Sequence, residues 1–90
     1  MTRDEIILAV KDIISTIAPD EELDGLNTAL PLRDQIELDS MDFLDIVMEL
    51  RKRYSVQVPE EEYAALNTLD GCADYLLPRL QGKELKLAGA

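Results

Sequence analysis

Apolar residues first take on a helical rhythm near the amino end. Ile6, Val10, Ile13, Ile14 and Ile17 recur at intervals of three and four, with Lys11 and Asp12 on the other side. Thr2 followed by Glu5 has the spacing of a capping box, in which each side chain satisfies a free backbone N–H at the other residue. Pro19 ends the pattern, so the first helix runs from about Thr2 to the residues before it.

Residues 18–38 have no periodicity of their own. A structureless connection of about 20 residues is uncommon in a compact domain. Leu23, Leu26, Leu30, Leu32, Ile36 and Leu38 are spread through it as apolar anchors. The segment is therefore expected to be tacked onto the core, with room for one helical turn.

A second helix is predicted from about Asp39 to Tyr54. Asp39 is a suitable N-cap, and Asp42 stands in the first turn, where the helix dipole favours negative charge. Phe43, Ile46, Val47, Leu50 and Tyr54 form a core face. Met41, Leu44 and Met48 form a second apolar stripe, and Asp42, Asp45 and Glu49 an acidic one. Leu44 suits either core or surface. YSVQV alternates like a strand, but it is short, lacks a partner and is closed by Pro59, so it is read as loop. A short helix is expected through EEEYAAL. A last one begins near Thr68, turns Leu69, Cys72, Ala73 and Leu76 inward, and stops at Pro78. The pattern predicts an all-α fold: a small bundle of three main helices plus one short helix, with a long first loop. Residues 1–80 form one domain, and 81–90 are expected to be a frayed tail.

Composition supports that architecture. A chain of 90 residues with 47% hydrophobic and 4% aromatic residues builds its core from aliphatic side chains. The formal net charge of −10 argues against nucleic acid and anionic membranes, and favours protein partners with basic docking patches. No apolar run approaches the roughly 20 residues of a membrane span, the amino end lacks a signal-peptide layout, and one cysteine cannot form an internal disulfide. A cytoplasmic monomer is the expectation.

Several chemistries lack their residues. Without histidine the chain has neither the commonest general base nor the commonest metal ligand, and one cysteine cannot build a thiolate zinc site. Asp20, Glu22, Asp24 and Gly25 fit the opening of a calcium loop, but Pro31 stands where its bidentate glutamate belongs. Neither a metal site nor catalysis is expected. Cys72 is read as a small core residue.

Ser40 is the residue that composition leaves unexplained. Ser15 lies inside the first helix and Ser55 follows the second, whereas Ser40 opens a helix with its side chain outward. A phosphate ester there would lie near the positive end of the helix dipole. By the residues alone, a plain helix-start role remains the commoner explanation.

The run LDSMDFLDIVMELRKRY, followed by VQVPEEEY and LDGCADYL, resembles the acyl carrier protein family, whose hallmark is Asp-Ser-Leu at the start of the second helix. The resemblance covers most of the chain, and is weakest over 18–36 and after Pro78. It implies a non-catalytic carrier with 4′-phosphopantetheine, derived from coenzyme A, attached covalently to Ser40 and flanked by Asp39. Such an arm holds acyl intermediates as thioesters and shuttles them between enzymes of fatty-acid, lipid or secondary-metabolite synthesis. The implied partners are a phosphopantetheinyl transferase and acyl-loading and acyl-transfer enzymes. They would dock on Met41, Asp42, Leu44, Asp45, Met48 and Glu49, with the acids aiding encounter. Met41 replaces the usual leucine. Arg51, Lys52 and Arg53 stand where housekeeping fatty-acid carriers usually have acids, which suggests a specialised carrier; they also suit a helix C-terminus. An aminoacyl or peptidyl carrier shares the fold and serine. An unmodified acidic adaptor would keep the bundle without needing Ser40.

Overall fold

Thr2 and Glu5 open the first helix as their spacing predicts. The Glu5 amide donates to Thr2 Oγ1 at 3.2 Å, and the Thr2 amide donates to Glu5 Oε1 at 2.8 Å. Helix α1 (Arg3–Ile17) follows, and the Ala18 amide closes it on the Ile14 carbonyl at 2.7 Å. Its inner face, Ile6, Ala9, Val10, Ile13 and Ile14, is at most 1% exposed, so this helix is the centre of the core. The computed structural model describes residues 1–87.

The first loop meets the core through Leu23 and Leu26, both partly buried, and through Leu32, Ile36 and Leu38, which are buried. Leu30 is a correction: expected as an anchor, it is 49% exposed. The loop is held there by an amide instead. Gln35 Nε2 donates to the carbonyls of Asn27 at 2.9 Å and Leu30 at 3.1 Å, while Gln35 Oε1 accepts from the Asn27 amide at 2.7 Å. Gln35 closes a four-residue helix, α2 (Leu32–Gln35), which is the helical turn allowed for in this loop.

Helix α3 (Ser40–Tyr54) packs on α1. Ile46, Val47, Leu50 and Tyr54 are buried as predicted, while Phe43 is only half-buried, packing against the core and the Tyr63 ring. The α3 helix ends at Ser55, whose φ of +58° places it in the left-handed region typical of helix C-caps. Val56 and Val58 are buried, with exposed Gln57 between them, and no strand forms among the described residues.

Pro59 leads into a 3-10 helix (Glu60–Leu66), and Thr68 caps α4 (Leu69–Leu76) by accepting the Gly71 amide at 2.8 Å. Leu69, Cys72, Ala73 and Leu76 all turn inward against α1, as expected. The fold is all-α, with one short helix beyond the predicted set because α2 and the 3-10 segment both form.

The chain beyond α4 keeps contact with the body. Leu80 is fully buried, and further along Lys86 is tied to the body: its amide donates to the Tyr54 hydroxyl, which donates to the Lys86 carbonyl, both at 3.0 Å. Residues 81–87 carry no helix or strand and are mostly exposed, with Leu85 packed against the core. The part of the expected frayed tail falling on 88–90 lies outside the described residues.

Candidate functional site

Asp39 is extended (φ −88°, ψ −178°), and its carboxylate accepts the Asp42 amide at 2.8 Å. Asp42 returns the arrangement by accepting the Asp39 amide at 3.3 Å. The predicted N-cap is therefore half of a capping box made from two acids. This fixes where α3 begins and makes Ser40 its first residue. Ser40 is exposed, and among the described residues its hydroxyl has no hydrogen-bond partner.

Positions three and four apart share a helix face, so Ser40, Phe43 and Leu44 point the same way. They form one wall of a groove of about 650 Å³. Glu60, Tyr63 and Ala64 of the 3-10 helix form the other wall, joined by Asn67 and by Arg33 from α2. The Phe43 and Tyr63 rings meet at 5.9 Å with a 60° tilt, and the Arg33 guanidinium lies 5.5 Å from the Phe43 centroid. A free hydroxyl thus stands at the edge of a partly apolar cleft.

The rest of the predicted surface divides into two groups. Met41 (66% exposed), Leu44 (39%) and Met48 (52%) do form an outward apolar stripe. That resolves Leu44 towards the surface. The acidic stripe is less uniform than its spacing suggests. Asp45 is exposed, whereas Asp42 serves the capping box. Glu49 accepts from Arg53 Nε at 2.9 Å. The same guanidinium donates to Asp12 at 2.7 Å and to Thr16 at 3.3 Å, drawing α3 onto α1. Desolvation lowers the affinity of Arg53 for its proton, but bonds to Asp12 and Glu49 outweigh it and leave its pKa raised. Of the three cations closing α3, Arg51 and Lys52 remain exposed.

Cys72 is buried and donates through Sγ to the Leu66 carbonyl at 3.4 Å. Burial pushes its pKa up to about 12, which suits an inert core thiol. Arg33, Glu60, Tyr63, Ala64 and Asn67 are the groove residues that sequence reasoning missed. Arg33 had a visible signal: it is the sole lysine or arginine between Lys11 and Arg51.

Residues 8–76 match the family described as "Phosphopantetheine attachment site". An acyl carrier protein of Rubrobacter xylanophilus is 27% identical over 77 residues, covering 86% of this chain and 94% of the relative. One from Petrotoga mobilis is 28% identical over 81 residues, covering 89% and 93%. The meromycolate extension acyl carrier protein of Mycobacterium tuberculosis is 25% identical over 76 residues, covering 84% and 65%. No solved structure gives a significant match.

Proposed function

Because the chain belongs to the acyl carrier protein family, whose members are carriers and not enzymes, we propose that residues 1–80 form one carrier domain with Ser40 as its attachment residue. The family's prosthetic group is covalent 4′-phosphopantetheine, which supplies the thiol that holds an acyl group as a thioester. The observation that carries the assignment is Ser40 itself: an exposed, unengaged hydroxyl on the first turn of α3 at the edge of a groove.

The residues present fit that group. The Ser40 hydroxyl is open to a phosphopantetheinyl transferase, the general partner of the family, and the first-turn amides of α3 lie beside the position of its phosphate. Phe43, Leu44, Tyr63 and Ala64 offer apolar surface to an acyl group folded back against the domain. Met41, Leu44 and Met48 supply adaptable contact area for acyl-handling enzymes, and Asp45, with the charged capping box and Glu49, supplies the field that speeds encounter with basic patches. Arg51 and Lys52 interrupt that field, which favours a dedicated set of partners. Among the described residues no helix is long and apolar enough to cross a membrane. A cytoplasmic monomer serving fatty-acid, lipid or secondary-metabolite synthesis completes the reading.

Intact mass before and after incubation with coenzyme A, magnesium and a broad-specificity transferase tests the assignment. Parent protein is expected to gain one phosphopantetheine, and Ser40→Ala none. No gain in a folded parent, with a known carrier modified alongside, would defeat the assignment and leave an acidic adaptor. Loading of the holo protein by an adenylating enzyme with an amino acid would identify an aminoacyl carrier.

A further inference from the structure

The proposed attachment residue stands in an unfavourable field for the group it would hold. Asp39 and Asp42 flank Ser40, Glu60 lines the opposite wall of the groove, and the formal net charge of the chain is −10. A phosphodiester would add another negative charge there. The positive end of the α3 dipole offsets this only in part.

Arg33 supplies a cation at that place. The ion pairs among the described residues are made by Arg3 and Arg53, so the Arg33 guanidinium is not committed to a carboxylate. It is positioned by Phe43, whose ring it approaches to 5.5 Å, and by the four-residue helix that carries it. Phe43 is three residues from Ser40, which puts the two side chains side by side on one face, roughly 5–6 Å apart at Cβ. Arg33 and Ser40 also line the same groove. The guanidinium beside Phe43 thus faces the same groove as Ser40 Oγ, where a phosphate would stand. Its planar fork of N–H donors matches two phosphate oxygens, a geometry that an ammonium does not reproduce.

We infer that Arg33 is a positioning residue that grips the phosphodiester joining the prosthetic arm to Ser40, turning the arm's first atoms toward the Phe43–Tyr63 side of the groove. The inference rests on the attachment reading above. Arg33 would balance the charge of Asp39 and Asp42 without pairing with either, leaving both carboxylates to cap α3.

Spectroscopy of loaded protein separates the two claims. Uniformly 15N-labelled parent and Arg33→Gln would be compared before and after transferase treatment, with mass as the measure of loading. The arginine Nε–Hε signal missing from Arg33→Gln identifies Arg33. On loading, that signal is expected to shift in the parent, and the 31P resonance of the loaded parent is expected to differ from that of loaded Arg33→Gln. If both proteins load but the Arg33 signal stays in place and the two 31P resonances coincide, the grip is refuted and the attachment reading stands. If neither gains mass, both claims fall together.

Discussion

Replacing Gly71 with alanine pits two simple expectations against each other. Gly71 lies in the first turn of α4, where alanine gains up to about 1 kcal/mol from helix propensity alone. The structure predicts the reverse. A Cβ at this position would fall well inside 3.0 Å of the Ala65 carbonyl oxygen, and 3.0 Å from Thr68 Oγ1. Neither neighbour yields easily: the first is backbone of the 3-10 helix, and the second is held by capping the Gly71 amide itself. Overpacking against such neighbours costs roughly 1–3 kcal/mol, and rigid backbone argues for the upper end. After the propensity gain, the net loss is about 2 kcal/mol. For a domain of this size that lowers Tm by roughly 8–16 °C. Thermal and urea unfolding of parent and Gly71→Ala would measure it. Amide shifts in 15N spectra should concentrate at residues 60–67, because the displaced segment is the wall carrying Tyr63 and Ala64. An alanine variant as stable as the parent, or more so, would refute the close approach of α4 to the 3-10 helix.

Asp39→Ala should cost about 1 kcal/mol in urea unfolding and speed amide exchange at 40–43, while Asp39→Asn, which keeps an acceptor, should lose less; equal losses would exclude a capping role. Arg53→Met keeps the apolar stem but removes the bonds to Asp12, Glu49 and Thr16, and should destabilise by about 2 kcal/mol; an unchanged midpoint would mean that this tie contributes nothing. Cys72 should resist iodoacetamide at pH 8 in the folded protein and react once unfolded. Its pKa is raised from an ordinary 9.0 to about 12, so its contribution to stability is complete below the unfolded value and lost as pH climbs toward 12. Cys72→Ala should flatten that alkaline decline, and an equally steep decline would assign it to other groups.

Features written within a few residues were legible before the structure was known. Thr2 and Glu5, Asp39, and Thr68 fix helix starts through contacts spanning three positions, and the aliphatic spacing of α1 and α4 named their buried faces. The outward turn of Met41 and Met48 followed from helix geometry once the core face was set, whereas Leu44 stayed open between core and surface. Contacts between distant segments were not legible. Leu30 could stay exposed because Gln35 holds the loop with neutral hydrogen bonds. The pairing of Glu49 with Arg53 follows from their spacing of four, but the reach of the same guanidinium to Asp12 across 41 positions does not. The groove needed three separate elements to meet, so Ser40 could be singled out from sequence, whereas Arg33 stood out only as an isolated cation and its place beside Phe43 and Tyr63 could not be read.

The two ends of α3 differ in how firmly they are held. At its C-terminal end, Arg53 binds α1 and the Tyr54 hydroxyl binds Lys86. At the other end, the wall facing Ser40 is met chiefly through two tilted rings and an open cleft. Mechanically this is a lever clamped at its far end. A bulky occupant that wedges the walls apart meets least resistance where Phe43 and Tyr63 touch, and the displacement is greatest at the tip that carries Ser40. Under the proposed assignment, the size of an acyl group in the cleft would set the angle of α3 at the end that carries Ser40.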